Sequence, residues 1–176
     1  MENLDRATRA AARGDRQALS FLVGATQDDV WRLCAHLADP ASADDLAREA
    51  YRRALSGLGR LGRGAAVRTW LLAIAYRVCA EQAETRDEAC PAVGRPAAGT
   101  ERDGQGRGDG ALPLAVLEPA RRGAFVLTQL LGCSYADAAE ISGCPASVIR
   151  SRVARARDDL GALIAAGPAA ACASGS

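Results

Sequence analysis

Apolar positions recur three and four apart along most of this chain, and the places where that rhythm fails divide it. From Arg16 to about Asp39 the pattern predicts a helix that ends at Pro40. A second is expected after Ser42, where "SADD" resembles a capping box with Asp in place of Glu. It would carry Leu46, Ala50, Tyr51, Ala54, Leu55 and Leu58 on one face. Beyond the Gly- and Arg-containing loop "GLGRLGRGAA" (57–66), a third stripe of Val67, Trp70, Leu71, Ile74 and Val78 runs to about Glu84. Helices of this size around a shared core predict a small all-α bundle over residues 1–86.

Residues 87–111, "DEACPAVGRPAAGTERDGQGRGDGA", have no such rhythm. They are dense in Gly and Pro and hold five acids against three arginines, the composition of a flexible linker. As a coil, its ends would lie on the order of 25–30 Å apart. Helical spacing returns over 112–166. "LPLAVLEPARRGAFVLTQLLG" (112–132) reads as one or two helices, and Ser134 offers an N-cap with Asp137 three residues on. "SYADAAEISG" ends at Gly143, and Pro145 suits the first turn of another helix. The last ten residues, 167–176, read as a frayed tail. The fold class expected is therefore all-α, two small helical domains joined by a flexible linker.

Composition supports this choice. Of the 176 residues 49% are hydrophobic but only 4% aromatic, so the apolar content is mainly Ala, Leu and Val, which favours helix packing over a β-sandwich. No apolar run approaches the roughly 18–20 residues of a membrane span, and the charged, Ala-rich start does not resemble a signal peptide. A soluble cytoplasmic protein with no membrane role is expected. The six cysteines are scattered, no CxxC pair occurs, and there is one histidine, His36, so no zinc spacing is present and no metal or cofactor is expected. A single His, no phosphate-binding Gly loop and no visible nucleophile–base pair also argue against an enzyme.

The net charge of +1 conceals a local concentration. Every basic residue is Arg, and residues 146–157 carry four of them with no acid. A patch of this kind can bind nucleic acid in an otherwise neutral chain. Its neighbourhood fits a helix-turn-helix between Tyr135 and Ala154. Ala139 is small where two helices meet, Gly143 permits the turn, and Ile149 plugs the core. On the second helix Ile149, Val153, Ala156, Leu160 and Leu163 share the inward side. Ser147, Ser151 and Arg155 point roughly opposite, with Arg150 and Arg152 flanking them. This is the layout of a recognition helix, with polar groups for base edges and arginines for phosphates.

"SADDLAREAYRRAL" and "VRTWLLAIAYRVCAEQ", followed by a linker and "LLGCSYADAAEISGCPASVIRSRVARAR", resemble the extracytoplasmic-function (group IV) sigma factors of bacterial RNA polymerase. The resemblance covers nearly the whole chain, with both motif blocks in the right order. It implies that residues 1–86 act as a region 2-like domain, which docks on core polymerase through Asp45, Leu46, Glu49, Arg52 and Arg53. That contact would be made with the clamp helices of the largest subunit. The same domain would capture the −10 element with Arg63, Arg68, Trp70, Tyr76 and Arg77, which are cations and rings able to hold single-stranded bases. Core packing is the alternative role for Trp70, given its spacing with Val67, Leu71 and Ile74. Residues 112–166 would form a region 4-like domain on the flap of the second-largest subunit. It would read −35 promoter DNA with Ser147, Arg150, Ser151, Arg152, Arg155 and Arg157. An anti-sigma factor is a further candidate partner. Arg77, Glu81 and Gln82 depart from the family's usual residues, as do Ser147 and Val148, which replace Gly and Thr. The rival reading is a stand-alone helix-turn-helix regulator whose first 86 residues serve as a sensor or dimerisation module.

Overall fold

Seven α-helices and no strand make up the described residues of this computed structural model, namely 2–61, 66–89 and 114–166. α1 (Glu2–Ala12) turns at Gly14, whose φ of +93° suits glycine, into α2 (Arg16–Leu37). Asp15 caps α2 by accepting from the amides of Gln17 at 2.9 Å and Ala18 at 3.1 Å. α3 (Ala43–Gly57) starts after Ser42 as expected, but the capping box does not form. Ser42 has helical angles (φ −96°, ψ −8°) rather than the extended ones of a capping residue, and its side chain makes no cap hydrogen bond. Asp44 and Asp45 instead put negative charge in the first turn, where the helix dipole favours it.

A 3₁₀ turn (Leu58–Arg60) follows α3, and α4 (Val67–Ala89) runs past the expected end near Glu84 into the stretch read as linker. The remainder of that stretch lies outside the described residues. A 3₁₀ turn (Leu114–Val116) leads to α5 (Pro119–Phe125), capped by Glu118 through the amides of Ala120 and Arg121. α5 widens into a π-helical turn over Val126–Leu130. α6 (Tyr135–Ser142) is capped by the Ser134 hydroxyl, which accepts from the Asp137 amide at 3.0 Å. Gly143, with φ +65°, ends α6 and allows the sharp turn into α7 (Ala146–Ala166).

α2, α3 and α4 form a bundle, tied by the 2.8 Å hydrogen bond between the Thr26 and Tyr51 hydroxyls. Leu46, Ala50, Ala54 and Leu58 are buried as expected. Leu55 is 46% exposed, because nine residues from Leu46 carry it about half a turn round the helix. In the second region Ile149, Val153, Ala156 and Leu160 of α7 pack on α5 and α6. Leu163, expected on the same stripe, is 40% exposed.

The two regions share one apolar core. A single buried cluster runs from Val30 and Leu33 of α2, through Leu72 and Cys79 of α4, to Leu127, Ile149 and Val153. The seam between them is α4 against α6, with α2 and Tyr76 of α4 against α5 and the π-helical turn. Gly123 of α5 meets Tyr76 of α4 so closely that a Cβ there would lie 3.0 Å from the phenol ring and its oxygen. Each large aliphatic side chain buried in this core stabilises by roughly 1.5–3 kcal/mol.

Candidate nucleic-acid interface

α7 follows a turn at a left-handed glycine, and through its first turns one narrow side is buried. Ser147, Arg150, Ser151, Ala154 and Arg155 are exposed and lie away from that side. The four arginines are held differently. The Arg150 guanidinium lies 5.8 Å from the centre of the Tyr135 ring, an orientation that cation–π attraction supports. Arg155 is exposed on the outer face. Arg157 is exposed and donates to Gln129 Oε1 at 2.7 Å, which leans it towards the π turn.

Arg152 departs from the expected layout. It is half-buried and donates to Cys144 Sγ at 3.5 Å. At about 100° per residue it sits only some 60° from the buried stripe, so it points back towards the seam rather than outward. Its charge is close enough to Tyr76 to oppose the upward push that burial gives the phenol pKa.

The residues expected to face the −10 element separate into three groups. Arg63 lies outside the described residues. Trp70 and Arg77 line a cleft of about 540 Å³ with Arg53, Arg60, Ile74 and Glu81. There the Trp70 ring lies against Gly57, where a Cβ would be 3.3 Å from Cζ2. Trp70 also packs on the core, the alternative role expected for it. Arg68 and Tyr76 are turned the other way, into the seam. Arg68 pairs with Asp29 at 2.7 Å, donates to the Leu131 carbonyl at 2.5 Å and reaches Cys133 Sγ at 3.5 Å. Beside it the Thr69 hydroxyl reaches Asp137 at 3.3 Å. Burial raises the Cys133 pKa against the opposing pull of Arg68.

On α3, Asp45, Glu49, Arg52 and Arg53 form a charged outer edge. Arg52 and Arg53 both bond Glu49, at 2.6 Å and 2.7 Å, and hold its carboxyl down to about 2. Arg53 also pairs with Glu81 of α4 at 2.7 Å. Leu46 is the exception among the expected docking residues. It is 5% exposed and faces the core, because the apolar stripe of α3 passes through it. Sequence reasoning missed Asp29, whose partner is 39 residues away, and Tyr135, whose contact with Arg150 requires the turn at Gly143. Among the described residues no three His, Cys, Asp or Glu side chains are grouped to hold a metal ion. No helix among them is long and apolar enough to cross a membrane.

The family model for sigma-70 region 2 matches residues 22–88, and that for sigma-70 region 4 matches residues 114–160. The chain is 45% identical over 158 residues to the ECF RNA polymerase sigma factor SigC of Mycobacterium tuberculosis, covering 86% of this chain and 85% of the relative. It is 30% identical over 166 residues to the RNA polymerase sigma-H factor of Pseudomonas aeruginosa, covering 83% and 86%. The fold resembles that of the sigma factor RpoE solved with the anti-sigma factor NepR from Bartonella quintana. There the TM-score is 0.73 at 24% identity, over 85% of this chain and 98% of the other. CnrH, solved with the cytosolic domain of CnrY, is similar at a TM-score of 0.71 and 20% identity, over 94% and 99%. With both regions matched in order and a relative 45% identical over most of both chains, the chain belongs to the extracytoplasmic-function branch of the sigma-70 family, the initiation factors that direct bacterial RNA polymerase to promoters.

Proposed function

We propose that this chain reads the −35 element with the open face of α7 (Ser147, Arg150, Ser151 and Arg155) and captures the −10 element with Trp70 and Arg77. Arg152 and Arg157 border the α7 face and serve nearby phosphates. Asp45, Glu49, Arg52 and Arg53 on α3 dock on core polymerase, and Leu46 supports them from the core. The protein works in the cytoplasm by binding alone, without catalysis. An anti-sigma factor is a candidate partner, since the structural neighbour RpoE was solved with one.

The observation that carries this reading is the single buried stripe of α7, which leaves the opposite face exposed with polar groups and arginines. A duplex major groove accepts such a helix, and the side chains at its N-terminal end meet base edges. The −10 element presents a different demand, because unpaired bases need rings and cations that can be reached. Arg68 and Tyr76 meet the chemistry but not the access while α4 packs on α5 and α6. In this reading the seam opens when polymerase separates the two regions, and these two side chains then join Trp70 and Arg77.

The test is promoter-specific transcription reconstituted with core polymerase. Holoenzyme is expected to bind promoter DNA specifically, and the free protein only weakly and in a salt-sensitive way. Tight specific binding by the free protein at physiological salt would overturn the reading in favour of a stand-alone regulator.

A further inference from the structure

We infer that Tyr135 of α6 is the positioning residue for Arg150 in the reading of −35 DNA, its ring holding the guanidinium without taking up any N–H that reads a base. This rests on the −35 role proposed for Arg150 and adds to it a residue from outside α7. The arginines of α7 differ in what holds them. Arg152 donates an N–H to Cys144 Sγ at 3.5 Å, and Arg157 donates one to Gln129 Oε1 at 2.7 Å. Each of these contacts spends a donor inside the protein. The Arg150 guanidinium carbon instead lies 5.8 Å from the centre of the Tyr135 ring. That attraction runs between the cation and the face of the ring, so it consumes no N–H. Both side chains are exposed, Tyr135 at 36%, so the pair is open to a duplex.

The ring stands on a fixed base. Tyr135 is the first residue of α6, between Ser134 and Asp137. The Ser134 hydroxyl accepts from the Asp137 amide at 3.0 Å and donates to Asp137 Oδ2 at 2.6 Å, which closes that turn on both sides. The turn at Gly143 then lets α7 carry Arg150 to the ring. A long exposed arginine loses rotamer freedom when it docks, and a guanidinium already held has lost part of it beforehand. Orientation matters as much. The planar fork meets guanine O6 and N7 with two parallel N–H bonds, and only when it arrives in the right plane. A ring beside the guanidinium restricts that plane and leaves the fork free, which is what an ion pair in the same place could not do.

The experiment offers holoenzyme a promoter library randomised over the −35 segment, sequences the bound fraction, and measures affinity for the duplex that wild type selects. Arg150→Ala identifies the base pair that Arg150 reads, as the position where preference relaxes. Tyr135→Leu is expected to relax preference at that same position and no other, and to weaken binding about two- to fivefold. Tyr135→Phe keeps the ring face and should match wild type. In an Arg150→Ala background Tyr135→Leu should have no further effect, whereas in an Arg155→Ala background it should keep all of it. If Arg150→Ala shifts the preference and Tyr135→Leu does not, the Tyr135 inference fails while the −35 reading stands. If Arg150→Ala shifts nothing, the −35 role of Arg150 fails and the inference falls with it. A loss from Tyr135→Phe as large as that from Tyr135→Leu would assign the effect to the hydroxyl and overturn the inference. Should Tyr135→Leu lower the thermal midpoint, the cycle with Arg150→Ala decides, because a folding defect is common to both backgrounds. Non-additive losses support the pair, and additive losses overturn it.

Discussion

α4 and α7 are both long, both carry arginines, and both are expected to meet DNA, yet they present themselves in opposite ways. In α7 the buried residues Ile149, Val153, Ala156 and Leu160 fall within roughly 60° of arc at 100° a residue. In α4 the buried residues Val67, Thr69, Leu71, Leu72, Ile74, Ala75, Val78 and Cys79 spread over roughly 220°. A helix clamped on one side can offer the other to a groove. A helix clamped on two sides keeps only a strip, and on α4 that strip carries Trp70 and Arg77. Residue chemistry alone does not make a binding surface; the width of the buried arc decides which side chains are free to use it.

The largest expected effect follows from the open helix. Replacing Arg150 and Arg155 together by Ala should cost about 1–3 kcal/mol for each of the two that touches a base. For each that touches a phosphate instead, the salt slope should fall by about one unit. Holoenzyme binding to a promoter duplex at several salt concentrations measures both. Arg152→Ala should cost clearly less than Arg155→Ala, because Arg152 is turned towards Cys144. Equal losses would mean that Arg152 swings out to DNA, and the contrast between its setting and that of Arg155 would disappear.

The difference between the helices also explains what was legible in the sequence. The turn from α6 into α7 and the buried side of α7 were readable because one apolar stripe, a capped helix before it and Gly143 are all local signals. The α2–α3–α4 bundle was readable for the same reason. What could not be read was the seam, since Arg68 meets Asp29 and Leu131 across 39 and 63 residues of chain. Nor was Arg152's direction legible, because its 60° offset from the stripe matters only when Tyr76 and Cys144 occupy that side. Leu46 was placed on the docking edge by the resemblance, although the spacing of the apolar positions had already put it on the buried stripe where it lies.

The next effect in size tests the seam. Arg68→Ala removes the partner of Asp29 and of the Leu131 carbonyl, and leaving such groups unsatisfied costs about 1–3 kcal/mol. Hydrogen exchange should quicken at α4 and α6 amides while the α1 and α3 amides stay protected. If exchange there is unchanged, Arg68 does not hold the seam. Gly123→Ala approaches the seam from the other side. Its new methyl would press on the Tyr76 ring, an overpacking cost of about 1–3 kcal/mol where the ring cannot shift. Tyr76→Ala in the same chain should remove most of that cost, so a double-mutant cycle is expected to show coupling. Additive effects would place the crowding elsewhere.

The smallest effect is a pH dependence that separates the two sides of α4. Burial at the seam raises the Tyr76 pKa above its ordinary value near 10. A raised folded-state pKa means that the closed form holds the proton more tightly than the unfolded chain does. The resulting stability is complete below about pH 10 and is lost as pH rises through and beyond that value. Tyr51, within the bundle, and Cys133, at the seam, are also raised by burial and contribute in the same direction, Cys133 from a lower pH. The Tyr76 share is isolated by comparing wild type with Tyr76→Phe, which keeps the ring and removes the titrating hydroxyl. Between pH 9 and 11 the thermal midpoint of the wild type should fall faster than that of the variant. The extra loss should appear as quicker exchange at α4 and α6 rather than where α2 meets α3. Parallel curves would show that the phenol is not sequestered by α5, and the seam side of α4 would then be as open as the cleft side.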